Sequence, residues 1–296
     1  MKPKRVIAGL IMMLFVPLIV FFVTLMNTNF GAISTYSASM LMSFALLPML
    51  YWWMLGLVFT ILVSGATSGV IADEVDKGTM LLLVSKPVSR VQIFLGKFLG
   101  VFAFGALMSF VGIFLGAWVA VMFTSGNIAH FFGMLPFLLF MFAYGLFVEL
   151  IFLSISIALS SMMATGRKVL MACLGLVVLT FLVFFMIRRI APGYYETYSL
   201  YWFDIGYHLG NILANAIQVW NILPASTLWQ TSFDIYTSAF AGATTATIDT
   251  SQGIDLGGLP LAGYVAPVVS LLIWLLIAIL LTLFGLYKLK RKEITN

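Results

Sequence analysis

Few side chains in this sequence are able to do chemistry, and only one place gathers many charged ones between two long apolar runs. The stretch from Ile71 to Lys97 carries Asp73, Glu74, Asp76, Lys77, Lys86, Arg90 and Lys97. Elsewhere the reactive types stand alone. Cys173 is the only cysteine and lies in apolar sequence, so neither an intrachain disulfide nor a thiolate metal site is available. His130 and His208 have no acid or cysteine beside them in sequence, and no H-E-x-x-H occurs. The 17 methionines are scattered through apolar segments, where they read as core filler rather than copper ligands. Gly96-Lys97-Phe98 lacks the glycine spacing and the hydroxyl of a phosphate loop, so the chain is not expected to hydrolyse a nucleotide itself. Glu149 is the one acid deep inside an apolar run. A charge there is costly, which makes it a candidate substrate-path or gating residue, or else a neutral carboxyl bonded to a neighbouring helix through hydroxyls such as that of Ser154.

The elements that must position these residues are membrane helices. Of 296 residues, 62% are hydrophobic and 8% charged, against roughly a quarter charged in soluble domains, and mean hydropathy is +1.12. The apolar runs are continuous rather than the alternating ten-residue segments of an outer-membrane barrel. Six spans are expected: Val6–Met26 (an uncleaved first helix, its core too long for a signal peptide), Met42–Val70, Val91–Phe123, Phe131–Met163, Val169–Ile187 and Val265–Tyr287. Asn27–Ser39 reads as a polar outside connection, Pro48 as a proline near the outer end of span two, and Gly166-Arg167-Lys168 as a tight inside turn. Both termini then lie in the cytoplasm. Of the 15 basic residues only Arg188 and Arg189 fall outside, as the positive-inside rule requires.

Within the charged connection, Asp73 and Asp76 suit the start of a short helix, and Asp73 can pair with Lys77. Ser89 and Gln92 have capping-box spacing at the start of span three. From Arg188 to Tyr264 the chain leaves the apolar regime. Tyr201, Ile205, Leu209, Ile212, Ala216, Val219 and Leu223 recur at helical spacing, with Asp204, Asn211, Asn215 and Gln218 between them. An amphipathic helix at the outer interface is expected, with Trp202, Trp220 and Trp229 at that depth. Thr227 and Gln230 are placed to cap a further short helix, ahead of the Pro/Gly/Thr-rich stretch from Gly242 to Gly263. Arg188 and Arg189 are expected at a surface, near lipid phosphates or paired weakly with Glu196 or Asp204.

The order Glu74, Gly78-Thr79, Leu82-Leu83, Pro87, Arg90 and Gly96-Lys97 resembles the signature of ABC-2-type transporter permease subunits. The motif covers about 25 residues, and its place between spans two and three, with an outer insertion between spans five and six, extends the likeness along the chain. Val75 stands where that pattern often has a base.

The resemblance implies an all-α, type V exporter-like permease fold. Residues 1–187 would hold spans one to five with a coupling helix at 73–86, residues 188–264 an extracytoplasmic insertion, and residues 265–296 span six and a basic tail. It also implies that Glu74, Asp76, Gly78, Thr79, Leu82, Leu83, Pro87, Arg90 and Lys97 serve coupling to a separate ABC ATPase, present in two copies and holding ATP and Mg, beside a permease homodimer in the cytoplasmic membrane. No cofactor or metal is expected in this chain, and no nucleic-acid partner. The size and position of the insertion resemble permeases that accompany copper-enzyme maturation, which would make Trp202, Ile205 and Trp220 a docking surface for an outer partner. Two other classes are weighed against this: an intramembrane enzyme, which needs a second acid or a histidine facing Glu149, and an ion-coupled transporter, which needs repeated halves with interrupted helices.

Overall fold

The computed structural model describes residues 3–25, 28–78, 89–243 and 258–291. Helix α1 (Pro3–Leu25) is followed by α2 (Thr35–Met49), the wide π-helical stretch Leu50–Val58, α3 (Phe59–Ser68) and the short α4 (Ala72–Asp76). Then come α5 (Arg90–Thr124), α6 (Ile128–Gly133), α7 (Leu135–Met162) and α8 (Gly166–Val178), a second π stretch Leu179–Val183, and α9 (Phe184–Ile190). Helices α10 (Pro192–Thr197), α11 (Ile205–Val219), α12 (Thr227–Thr237) and α13 (Pro267–Arg291) complete the chain. Among the described residues the only strand-like pairing is the bridge Phe240–Leu261. Five helical runs are long and apolar enough to cross a membrane: Thr35–Asp76, Arg90–Thr124, Leu135–Met162, Gly166–Ile190 and Pro267–Arg291. The chain is therefore a multi-pass helical membrane protein. Helix α1 has 23 residues, with a shorter apolar section, Val6–Ile19.

Several expected boundaries move. Span two begins at Thr35 rather than Met42, because Ser34 caps the helix by accepting from the Ser37 amide. Pro48 is consequently internal and buried. The π stretch starts two residues later, the kind of local adjustment by which a helix re-satisfies the backbone a proline leaves unpaired. Gly166-Arg167-Lys168 opens α8 rather than forming a turn; the turn is Met163–Thr165.

Without a hydrophobic force between spans, packing depends on close backbone approach at small residues. Gly112 of α5 receives the methyl groups of Met13 and Met54. On α7, Gly145 faces Leu55 and Ser109, and Gly285 of α13 lies against the Ala158 backbone of α7. The run Thr35–Asp76 is the most enclosed of the five, and α7 beside it packs against α3, α5 and α13, with α1 on α5.

Between α9 and α13 the chain does not lie flat as an amphipathic surface helix. Ten of the fifteen residues of α11 are buried, among them Ile205, Tyr207, His208 and Asn211. Hydroxyls from the spans reach into it: Tyr51 donates to the Gly206 carbonyl at 2.5 Å, and Tyr144 to the Leu209 carbonyl at 3.2 Å. The Asn211 amide donates to the Val265 carbonyl at 2.7 Å. Of the polar positions that suggested a wet face, Asn211 is spent on this internal partner and Asp204 is buried, while Asn215 is half-buried and Gln218 exposed. In α12 the cap is Ser226, which accepts from the Leu228 amide, not Thr227. Gln230 instead accepts from the Leu259 amide at 2.7 Å, tying the helix to the segment before α13.

Candidate functional site

The described residues of the charged connection form a junction that ties five spans together. At Ser89 the expected capping box is present: its hydroxyl accepts from the Gln92 amide, and the Gln92 side chain returns to the Ser89 amide at 2.9 Å. This fixes where α5 starts. Two turns along, Lys97 pairs with Glu74 of α4 at 2.5 Å and also donates to the Val70 carbonyl. Arg90 reaches the last turn of α13, donating to the Leu289 and Lys290 carbonyls at 3.1 and 2.8 Å. The amides of Ile71 and Ala72, orphans at the start of a helix, both donate to the Ser160 hydroxyl of α7 at 3.2 and 3.1 Å. Ser160 in turn donates to the Ser68 carbonyl.

Asp73 does not pair with Lys77. Its carboxylate accepts from the Gly166 amide at 2.7 Å, at the N-terminus of α8, where an anion is favoured by the exposed N–H groups. Gly166 also has no room for a Cβ, which would collide with Asp73 and the Gly69 backbone. Beneath these polar contacts, Ile71, Ile93, Phe94, Ile157 and Leu289 form a small apolar core, with Val75 packed against it. Valine at that position is thus a packing residue.

The residues expected to meet a partner divide accordingly. Glu74, Arg90 and Lys97 are turned inward onto the chain itself, while Asp76 and Lys77 are exposed. Gly78 takes φ +69°, the left-handed conformation that ends α4, and a Cβ there would meet nothing within 4 Å. Its glycine answers first to backbone geometry. Thr79, Leu82, Leu83 and Pro87 lie outside the described residues.

Glu149 lies halfway along α7, fully buried, with neither carboxyl oxygen hydrogen-bonded. The expected hydroxyl partner is occupied elsewhere: Ser154 donates to the Leu150 carbonyl and accepts from Thr282. The carboxyl presses instead on Gly105 of α5. Among the described residues no group of acids, histidines and cysteines is arranged to hold a metal ion.

At the opposite end of the bundle, Arg188 and Asp204 are not surface residues. They form a buried pair at 2.5 Å, with side chains 2% and 0% exposed. Tyr195 donates to the same Asp204 oxygen at 3.0 Å, Asp204 caps α11 by accepting from the Tyr207 amide, and Arg188 also donates to the Tyr236 carbonyl. Glu196 accepts from the Tyr264 hydroxyl rather than from an arginine. Of the three residues expected to dock an outer partner, Trp202 and Trp220 are exposed, but Ile205 is 6% exposed and packs inward. Trp229 is wholly buried, its indole donating to the Pro224 carbonyl. Asp204 is one of the two acids the sequence offers to Arg188, but as a weak surface partner; what sequence reasoning missed is the burial of the pair.

Five helical runs long and apolar enough to cross a membrane, with one charged junction at their ends, define a multi-pass membrane protein. The family model for ABC-2 family transporter proteins matches residues 56–294, and the chain belongs to that family, which makes it a permease-type subunit of an ABC transporter. A comparison with curated proteins returned no match.

Proposed function

We propose that the junction is the coupling element through which ATP hydrolysis on a separate ABC ATPase drives this subunit. In this reading the chain crosses the cytoplasmic membrane six times, α1 included, with both termini and the junction inside and residues 188–264 outside. Two copies work with two ATPase subunits to export a substrate or transmit mechanical work. Trp202 and Trp220 are the exposed aromatic positions for an outer partner, which for the copper-maturation branch would be an extracytoplasmic protein.

One observation carries the proposal. Helix α4 is bonded to α5 through Glu74–Lys97, to α7 through Ser160, and to α8 through Asp73–Gly166, while α5 is bonded to α13 through Arg90. Asp76 and Lys77 point away into solvent. A force applied at the exposed side of such a short, clamped helix is delivered to several spans at once. Rim charges of this kind set the register of docking more than its strength.

The test is co-purification in detergent with the ATPase encoded beside the chain, using Asp76→Arg/Lys77→Glu, two exposed positions outside the inward contacts. The wild type is expected to retain the ATPase in equal amount and the variant to lose it while eluting as the same monodisperse species. Retention by the variant overturns this placement of the docking surface. Failure of the wild type to bind any ATPase overturns the coupling reading.

A further inference from the structure

Glu149 takes no part in the junction, yet it is fully buried with neither carboxyl oxygen hydrogen-bonded. An ionised carboxylate removed from water without a partner is unfavourable by far more than a folded chain tolerates, and the group takes up a proton instead. Among the described residues no countercharge lies beside it. On α5 the facing residues are Gly105 and, one turn on, Ser109, whose hydroxyl donates to the Ala106 carbonyl. The hydroxyls of Thr60 and Thr67 on α3 bond their own helix, and Ser64 accepts from Ser156. Thr282 of α13 bonds the Ala278 carbonyl and Ser154. The phenols of Tyr51 and Tyr144 donate into α11, Cys173 of α8 bonds Ser156, and His130 of α6 bonds Ser125. The charged groups on these elements, namely Asp73, Glu74, Asp76, Arg90, Lys97, Arg167, Lys168, Lys288, Lys290 and Arg291, all sit at the junction end.

We propose that Glu149 is a proton-binding site that is occupied while α5 rests against α7 and exchanges its proton when the two helices part. The packing gives the site two registers. Gly105 opposes Glu149, and Ser109, one turn further, opposes Gly145, one turn back along antiparallel α7. A slide of α5 by one turn toward the junction, about 5.4 Å, sets the Ser109 hydroxyl opposite Glu149. On opening, the carboxyl O–H bond breaks and the proton passes to a water molecule admitted between the helices, leaving the carboxylate with the electron pair. Reclosure returns a proton from hydronium. The movement is the one Lys97 would impart to α5, so the exchange step rests on the coupling reading, whereas the occupied state does not.

Infrared spectroscopy of the full chain in lipid nanodiscs at neutral pH tests the occupied state. The carbonyl stretch of a protonated carboxylic acid is expected in the wild type and absent in Glu149→Gln. Heavy-carbon glutamate labelling shifts the same band without any substitution, which guards against a variant that fails to fold. A wild-type spectrum without the band overturns the proposal. In the complex with the ATPase in deuterated water, ATP is expected to speed deuteration of the band several-fold, and an unchanged rate overturns the exchange step. If no ATPase binds, the coupling reading falls while the band still decides the occupied state. If the ATPase binds and the band is absent, only this proposal falls.

Discussion

Lys97 lies a little over two turns into α5, and its ammonium sits 2.5 Å from Glu74 of α4 while also reaching the Val70 carbonyl at the end of span two. One side chain thereby joins the end of one span, the short helix after it and the start of the next. Both partners are partly exposed, with side chains 15% and 34% accessible, so the pair contributes little to overall stability, at most about 1 kcal/mol. Lys97→Met is therefore expected to leave expression and ATPase co-purification near wild type while cutting transport-coupled ATP turnover. Unchanged turnover would remove Lys97 from the coupling path.

Ser160 closes the other side of the junction by accepting from two backbone amides, those of Ile71 and Ala72. Ser160→Ala leaves both donors buried without a partner, a loss of about 1–3 kcal/mol each where no water replaces the hydroxyl. Hydrogen exchange is expected to speed up at Ile71 and Ala72 and to stay unchanged in the middle of α7. Protection equal to wild type at those two amides would mean the serine does not hold α4.

The buried Arg188–Asp204 pair behaves differently from a surface bridge. Removing one partner strands a charge in a dry site, with a cost of about 3–5 kcal/mol. Asp204→Asn also weakens the cap of α11 and the acceptor for Tyr195. Thermal unfolding in detergent is expected to show a large loss for Arg188→Met and for Asp204→Asn, and a smaller loss for the two together than the sum of the singles. Strict additivity would show that the pair does not interact.

His208 is buried, its Nδ1 beside the Ser270 hydroxyl at 2.8 Å and its Nε2 beside the Trp202 carbonyl at 3.2 Å. The carbonyl must accept, so Nε2 carries the proton of the neutral ring and Nδ1 accepts from Ser270. Burial pushes the imidazole below its ordinary value of 6.5, against weaker opposing effects of the Trp202 carbonyl and Asp204. The unfolded chain then binds the proton more readily than the folded one. Stability from this group is full above about pH 6.5 and is lost as pH falls through that value toward the lower folded-state pKa. The melting temperature is expected to drop over that window in the wild type and less so in His208→Gln; parallel curves would exclude His208 as the cause.

Gly210 of α11 meets Thr237 of α12 so closely that an added Cβ would lie 2.5 Å from the threonine Cβ. Gly210→Ala is expected to destabilise the insertion by about 1–3 kcal/mol through overpacking. Limited proteolysis between α11 and α12 should report it as faster cleavage, and wild-type resistance would contradict the packing.

The sequence by itself determined the class of architecture, because long apolar runs admit little besides membrane helices and the few charges punctuate them. It also located the junction, the capping box at Ser89–Gln92, and the isolation of Glu149 within a span. Each of these is a local property: a run length, a three-residue spacing, one acid among aliphatic neighbours. Tertiary structure decided which way the side chains turn. Glu74 and Lys97 were legible as motif residues, but their pairing with each other depends on how α4 folds back on α5. Asp73 chose the Gly166 amide over Lys77 because a helix N-terminus from another span was brought beside it. The insertion was misread for the same reason. Asp204, Asn211 and Ile205 look like parts of an amphipathic surface helix until Arg188, the Val265 carbonyl and the aromatic residues of the spans close around them, and that enclosure is written in no spacing along the chain.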